Sequence, residues 1–448
     1  MNIPQKTVKA LEKNVHEVIL YMNFNENYVN IFNRGNIMSR VFITGRGLLT
    51  PLGRGLAANE AALRSGKSGI SVIPSFEEVK LESLVGGMPD QNPETPLIDR
   101  KTKRFCPPVG AMSVVAAEEA FAEAGIALED IPGLNIALVG GQATNNSLEI
   151  YQHATAYLNR NCSLRAVTPF AVPRIMPSSS ISILSLIFGI KGESYDISAA
   201  CASSALAVML AVRLIRSGEY DMVLVGGAEQ LDWTTALGFC ACRALATKFN
   251  DTPEKASRPF SASRDGFVLA GGAAYMLLES EKSIKARGAK AICEITGVAG
   301  NSSAADMVVP DAEASANVMA KALADAKLDI ADIGYINTHG TATAVGDKVE
   351  IDAIRKLLNG RKSPAINSTK SQTGHMVGAT GAAEIIFSSI MLEKNFISPS
   401  INCEDPDPEF ADVDICREYR ENVQFDHALS NSFAFGGSNA CVIISKCK

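Results

Sequence analysis

The stretch GESYDISAACASSALAVMLAVRLI, residues 192 to 215, decides the fold class of this 448-residue chain. It begins as a short strand-like run, passes through Ala199 and Ala200, and continues as a helix that is apolar almost all round. A surface helix would have a polar face, so the helix predicted from Cys201 to Ser217 is buried. Similar short strands followed by longer helices recur along the chain, which predicts an α/β fold with mainly parallel, buried sheets.

Two pairs of segments repeat the same pattern in the same order. RVFITGRGLLTPLG from residue 40 is similar to AICEITGVAGNSSA from residue 291, and VGGQATNNSLEI from 139 is similar to THGTATAVGDKVEI from 338. Two matches in register predict that the chain holds two copies of one α/β unit. We therefore predict an N-terminal extension of unknown role over 1–39 and two halves over 40–287 and 288–448. The seam between the halves is the natural place for a site.

Composition excludes several classes of protein. Hydrophobic residues make up 47% and charged residues 20%, which is typical of a folded globular chain. The net charge of −6 argues against nucleic acid as the main partner. No run reaches the ~18 apolar residues of a membrane span, because Arg213 interrupts the longest small and apolar stretch. Ten scattered cysteines indicate a reduced cytosol rather than a disulfide framework, and the C-x-C pair Cys240 and Cys242 predicts no metal site.

Three residues stand where covalent chemistry is possible. Cys201 lies between a predicted strand and a helix N-terminus, where the helix dipole and free amides favour a thiolate and can hold an oxyanion. A buried core cysteine is the alternative reading of its position. His339 and His375 lie in the glycine-rich turns NTHGTAT and STKSQTGHMVGATGA, whose small residues leave room for a ligand. Lys370 is either a partly buried cation of the same turn or an exposed lysine.

These motifs, together with the closing NSFAFGGSN, resemble the decarboxylating β-ketoacyl-acyl carrier protein synthases. These are the elongating condensing enzymes of fatty acid synthesis, and the bacterial type I synthases are the most similar. The resemblance covers about residues 40 to 446. It implies a thiolase-like α/β fold, with two duplicated halves in a layered αβαβα arrangement. It also implies that malonyl-carrier protein loses carbon dioxide and condenses with an enzyme-bound acyl group to give 3-oxoacyl-carrier protein.

The resemblance implies a role for each site residue. Cys201 would carry the acyl group as a thioester, and His339 and His375 would donate hydrogen bonds that stabilise the malonyl-derived enolate. The amides of Cys201 and Phe435 would form the oxyanion hole, and the Phe435 ring would gate the substrate tunnels. Lys370 would be a fixed cation paired with Glu350. Thr341 and Thr343 would contact the pantetheine arm, and Phe433 would be a further substrate-binding residue. Glu384 would lie behind the site, near a structural monovalent cation.

The implied partner is an acidic acyl carrier protein, so a basic docking surface is expected. A solvated charge run is the commoner fate of such clusters, but we expect docking at Arg100, Lys101, Lys103, Arg104 and Arg165. The resemblance further implies a cytoplasmic homodimer with no metal and no cofactor beyond the phosphopantetheine of its substrates. Neither a nucleic acid partner nor a membrane span is expected.

Several alternatives were weighed against this interpretation. A thiolase would have a second cysteine in a C-x-G-x-G turn where this chain has NSFAFGGSN, and a non-catalytic partner subunit would lack Cys201. A ketosynthase of a polyketide or aryl polyene pathway would have the same motifs and stays open. Three positions depart from the family pattern: Ala199 replaces Ser or Thr, Ala434 replaces a glycine, and Ser438 replaces a threonine. Ala434 is expected to stiffen the gate loop, since Gly tolerates backbone angles that Ala does not.

Overall fold

A computed structural model describes residues 39–144 and 146–447, and twelve strands within these ranges form one sheet. Small two-stranded sheets stand beside it. The strands are β1 Val41–Thr50, β2 Gly53–Arg54, β3 Ile70–Val72, β4 Val85–Gly87, β5 Ile136–Gly141, β6 Ser194–Ile197, β7 Met222–Glu229, β8 Gly272–Ser280, β9 Cys293–Ser302, β10 Tyr335–Asn337, β11 Ala365–Asn367, β12 Phe396–Ile397, β13 Asp414–Ile415, β14 Arg420–Glu421, β15 His427–Phe433 and β16 Ser438–Ser445.

Helices fill the segments between these strands. They are α1 Leu56–Ser65, α2 Pro74–Glu78, α3 Pro108–Glu123, α4 Ser147–Asn159, α5 Ala171–Ile175, α6 Ser179–Phe188, α7 Ser203–Arg216, α8 Trp233–Ala241, α9 Glu281–Arg287, α10 Ala312–Ala326, α11 Ala344–Leu358, α12 Lys370–Thr373 and α13 Thr380–Lys394. Across the described ranges, every helix is too short or too polar to cross a bilayer. The predicted helix from Cys201 to Ser217 is α7, which begins two residues later than expected.

The large sheet contains the same topology twice. In the first half the strands lie in the order β6-β5-β7-β8-β1, and in the second half in the order β11-β10-β15-β16-β9, with β13 added at the edge. When the five strands of each half are numbered in chain order, both halves have the same spatial order: third, second, fourth, fifth and first. The first pair of similar sequence segments falls on the equivalent strands β1 and β9, and the second pair begins at the ends of the equivalent strands β5 and β10. The predicted duplicated α/β fold is confirmed.

The prediction of mainly parallel strands is wrong in part. In each half three strands run parallel, while β8 and β1, or β16 and β9, pair antiparallel. The reason is visible at the end of the chain, where only residues 434–437 join β15 to β16. A connection this short permits a hairpin and no crossover, so these two strands must be antiparallel.

Helices form three layers, which alternate with the two halves of the large sheet. In the middle layer α7 and α13 pack on each other and against strands of both halves, whereas α3 covers β1 and β8 on one outer side and α10 covers β9 and β16 on the other. The middle helices meet through small residues, since a Cβ added to Gly381 would lie 2.8 Å from the Cβ of Ala205. The Ala382 amide also donates to Ser204 Oγ at 3.0 Å. The predicted αβαβα arrangement is therefore present.

The predicted domain boundaries have no structural test. The extension predicted over residues 1–39 falls, except for Ser39, outside the described residues. The boundary at residues 287 and 288 lies where α9 ends and the connection to β9 begins. It stays a prediction.

The packing of β1 against α3 leads to a first prediction. A Cβ at Gly47 would lie 1.8 Å from the carbonyl oxygen of Ala116, a backbone atom that cannot move aside. We expect Gly47→Ala to lower the free energy of unfolding by about 2 kcal/mol through overpacking, measured by denaturant unfolding. Gly133→Ala is the matched control, because a Cβ there meets nothing within 4 Å. Equal losses in the two variants would contradict this account of the packing.

Candidate active site

Cys201 lies in a tight turn, residues 200–202, between the end of β6 and the start of α7. Ala200 in this turn has a φ of 46°, in the left-handed region that costs a non-glycine residue energy. Cys201 is half-buried and lines a cavity between the two halves. The strained turn therefore presents the thiol to the cavity at the N-terminal end of the buried helix, as the sequence predicted.

Both predicted histidines reach the same cavity. His339 follows β10, and His375 lies between α12 and α13. One ligand atom from each of Cys201, His339 and His375 lies within 4.8 Å of the other two, and the two imidazole rings stand nearly perpendicular with centroids 5.3 Å apart. His375 Nδ1 is 3.0 Å from Thr380 Oγ1, while its Nε2 is buried without a hydrogen-bond partner among the described residues. The structure thus brings together three groups that are far apart in the sequence.

Lys370 is buried, but the prediction that it pairs with Glu350 is wrong. Its Nζ donates to Glu384 Oε1 at 2.7 Å, and both side chains are only 1% exposed. Glu350, the predicted partner, instead accepts the backbone amides of His339 at 2.9 Å and Gly340 at 2.8 Å. Glu350 therefore fixes the turn that holds His339, and Glu384 neutralises the lysine.

Burial determines the protonation states in the cavity. Removal from water, with the positive charge of Lys370 nearby, lowers the pKa of His339 and of His375 well below the ordinary value. Both imidazoles are therefore neutral at physiological pH. Burial also raises the pKa of Cys201 to about 11, against the opposing effects of Lys370 and two backbone amides. The helix terminus was expected to favour a thiolate, but burial outweighs it and the resting group is a thiol.

Those amides belong to Phe435 and to Cys201 itself, and both act as hydrogen-bond donors toward the sulfur. The pair predicted for the oxyanion hole is therefore placed at the thiol. Phe435 begins the turn 435–437, in which Gly436 has a φ of 80°. Ala434 has an extended backbone with a φ of −119°. Any residue adopts that conformation, so the predicted stiffening by Ala434 has no basis in backbone strain.

The remaining predicted substrate-binding residues also line the cavity. They are Thr341, Thr343 and Phe433. Thr343 caps α11 by accepting the Gly346 amide at 3.2 Å, which leaves Thr341 as the less committed hydroxyl. Besides Gly340 and Gly346, five residues with larger side chains line the cavity without having been predicted, and no local pattern marks them: Phe239, Phe267, Val308, Pro310 and Val349. Phe239 stands between Phe267 and Phe435, with ring centroids 5.2 Å and 6.4 Å away.

The predicted docking residues lie outside this cavity and at the surface. All five are exposed: Arg100, Lys101, Lys103, Arg104 and Arg165. Nearby Arg174 is less available, because it forms an ion pair with Glu149 and donates to the Cys106 carbonyl at 2.8 Å. The exposed cations are therefore accessible to a partner, whereas Arg174 is held by contacts within the protein.

The thiolase-like condensing enzymes are defined by a duplicated α/β fold. Their site has a cysteine and two neutral histidines at the ends of strands and helices. Comparison with known families agrees. The N-terminal domain of the β-ketoacyl synthase family matches residues 38–283, and its C-terminal domain matches residues 292–404. The chain belongs to the β-ketoacyl synthase family.

Individual relatives give the same result. The chain is 41% identical over 409 residues to 3-oxoacyl-[acyl-carrier-protein] synthase 1 of Haemophilus influenzae, covering 91% of this chain and 99% of the relative. A β-ketoacyl synthase from Burkholderia phymatum superposes with a TM-score of 0.87 at 34% identity, covering 92% of this chain and all of the other. A type II polyketide ketosynthase in complex with its acyl-carrier protein superposes with a TM-score of 0.84 at 27% identity, covering 91% of this chain and 100% of that one.

The raised pKa of Cys201 leads to a second prediction. Only the thiolate reacts with iodoacetamide, and its fraction grows about tenfold per pH unit below the pKa of the thiol. With a pKa of about 11, we expect the rate of alkylation of Cys201 to rise across the range from about pH 7 to pH 9 without a plateau. Mass spectrometry of the Cys201 peptide measures the rate, and the exposed Cys162 is an internal reference. A plateau near neutral pH would contradict the burial argument.

Proposed function

We propose that Cys201, His339 and His375 carry out a decarboxylating Claisen condensation between an acyl group and malonyl-acyl carrier protein. The product is 3-oxoacyl-acyl carrier protein, and the process is fatty acid chain elongation. The chain is a condensing enzyme of the 3-oxoacyl-acyl carrier protein synthase class, and hence an acyltransferase. The observation that carries the residue assignment is the convergence of the three groups within 4.8 Å.

The first half-reaction loads the enzyme. The Cys201 sulfur attacks the thioester carbonyl of acyl-carrier protein, the amides of Cys201 and Phe435 hold the oxyanion, and the phosphopantetheine thiol leaves. Because the resting thiol has a pKa of about 11, it must lose its proton as it attacks. A neutral imidazole of the cavity is available to accept this proton. The proton ends on the departing phosphopantetheine thiolate.

The second half-reaction joins the two carbon chains. His339 and His375 donate hydrogen bonds to the thioester carbonyl of malonyl-carrier protein, so that loss of carbon dioxide leaves a stabilised enolate. The enolate carbon attacks the carbonyl of the acyl-Cys201 thioester, and the Cys201 sulfur is expelled as a thiolate, which takes up a proton from solvent to restore the resting thiol. Neutral imidazoles suit this task, because the charge they must stabilise develops only in the transition state.

The surrounding residues support these steps. Lys370, held by Glu384, supplies a fixed positive charge, while Glu350 positions the turn of His339. We assign Thr341 and Thr343 to contacts with the pantetheine arm, whose amides suit hydroxyl partners, and Phe433 to substrate binding. The reaction needs no resident cofactor. Glu384 Oε1 already accepts Lys370 at 2.7 Å, so only its Oε2 remains for a monovalent cation.

Other functions of this family fit less well. A ketosynthase of a polyketide or aryl polyene pathway would use the same residues in a differently shaped acyl pocket. Identity of 41% to a 3-oxoacyl-carrier protein synthase, against 27% to the polyketide ketosynthase, favours fatty acid elongation. A non-catalytic partner subunit would have no need of Cys201.

The partner of the reaction is an acyl carrier protein, and we further propose a cytoplasmic homodimer. β6 ends the order of strands in the large sheet, and an open strand edge favours pairing with another chain. Tyr195 on β6 is 40% exposed, and Leu158 and Leu164 are 65% and 79% exposed. Exposed apolar side chains and an open strand edge are both typical of a subunit interface.

A direct assay tests the proposed reaction. The protein is incubated with acyl-carrier protein and malonyl-carrier protein, and 3-oxoacyl product and carbon dioxide are followed by mass spectrometry. We expect product with the wild type and none with Cys201→Ala, and no elongation of the acyl chain by His375→Ala. A panel of acyl lengths separates fatty acid from polyketide use. Absence of an acylated Cys201 with every donor would refute the enzymatic proposal and favour a partner subunit.

Charge reversal tests carrier docking. We expect Lys101→Glu combined with Arg104→Glu to raise the KM for carrier-bound substrate about tenfold with little change in kcat, because opposite charges speed the encounter. Lys282→Glu combined with Lys290→Glu is the matched control, since it makes the same change in net charge at other exposed lysines. An unchanged KM, or the same rise in both double variants, would remove the docking assignment.

A further inference from the structure

We propose that Cys201, His339 and His375 also form a binding site for a zinc ion, and that zinc bound there inhibits the enzyme. One sulfur and two imidazole nitrogens lie within 4.8 Å of one another. Zinc prefers thiolate and imidazole ligands in a tetrahedral arrangement, and three protein ligands with one open position are a common set. The fourth position would face the cavity, where water completes the coordination.

Small side-chain movements complete the site. Zinc–sulfur and zinc–nitrogen bonds of about 2.3 Å and 2.0 Å place tetrahedral ligand atoms about 3.5 Å apart. The three ligand atoms, which lie within 4.8 Å of one another, therefore have to move closer by about 1 Å when the metal binds. His375 is already oriented, because Thr380 holds its Nδ1 at 3.0 Å and its Nε2 has no hydrogen-bond partner among the described residues. Such support of the second nitrogen is usual for metal-binding histidines.

The protonation states suit a metal in part. Each imidazole can bind zinc through a ring nitrogen that carries no proton, so in the metal-bound form the ring proton lies on the other nitrogen. The Cys201 thiol must lose its proton to solvent as the zinc–sulfur bond forms, which makes the affinity rise with pH. Lys370 opposes a dication, but Glu384 at 2.7 Å offsets its charge.

Inhibition follows from the shared atoms. A zinc-bound Cys201 thiolate cannot attack an acyl thioester. The imidazole nitrogens that bind zinc cannot donate hydrogen bonds to the malonyl carbonyl. An acylated Cys201 has no thiolate to offer, so the acyl-enzyme should not bind the metal at this site. The metal site depends only on the donor atoms, so it holds whichever acyl substrate the enzyme uses.

The test uses Cd²⁺ as a spectroscopic probe and Zn²⁺ as the inhibitor. Cd²⁺ titrated into the purified full-length protein should give a thiolate-to-metal charge-transfer band for one equivalent per chain. We expect the band to be lost in Cys201→Ser, and the affinity to fall at least about tenfold in His339→Gln and in His375→Gln. Cys242→Ala, which removes an exposed thiol outside the cavity, is the control and should leave the band unchanged. Thermal unfolding of each variant checks that it is folded.

Further outcomes separate this proposal from the proposed function. We expect Zn²⁺ to slow condensation and EDTA to restore the rate. Persistence of the band in Cys201→Ser, or unchanged affinity in both histidine variants, would overturn the site. Binding at Cys201 without any loss of rate would overturn the inhibition. One equivalent bound at Cys201 in a protein that shows no condensation would support the metal site and refute the proposed function.

Discussion

The close approach of α7 and α13 is the constraint on which the active site depends. The two helices meet at Ala205 and Gly381, where an added Cβ would lie 2.8 Å from its neighbour. Because Cys201 directly precedes α7 and His375 precedes α13, the separation of these helices sets the separation of the thiol from the imidazole. A larger residue at Gly381 would push the halves apart and, with them, the reacting groups. Small residues in the middle layer are therefore a requirement of the chemistry as well as of packing.

Duplication supplies the rest of the site, because equivalent strands of the two halves deliver different groups to one cavity. β6 leads to Cys201, and its counterpart β11 leads to Lys370 and His375. β10, the counterpart of β5, leads to His339. In each half the three parallel strands end on the same side, which is where loops can converge. One half therefore provides the cysteine and the other half provides the histidines, although both are built from one topology.

Much of this arrangement could be predicted from the sequence, because it depends on local patterns. The paired segments predicted the duplication, and glycine-rich turns marked both histidines. The partner of Lys370 could not be predicted, since Glu350 and Glu384 both lie on helices that border the cavity. Only the packing of α13 places Glu384 within reach. Phe239 was missed for a similar reason, because it belongs to an ordinary apolar helix and reaches the cavity only through contacts far away in the sequence.

Burial gives the cavity an electrostatic state that suits condensation. Its imidazoles are neutral and its thiol is protonated, and the buried Lys370 is paired with Glu384. A lysine buried without a carboxylate would be strongly destabilising, and the pair removes most of that cost. In the proposed reaction, negative charge appears only as the reaction proceeds, on the sulfur or on the enolate oxygen. Because Lys370 and the amides of Cys201 and Phe435 are already in place, they stabilise that charge without further reorganisation, and the low polarity that raises the pKa of the resting thiol also strengthens their effect.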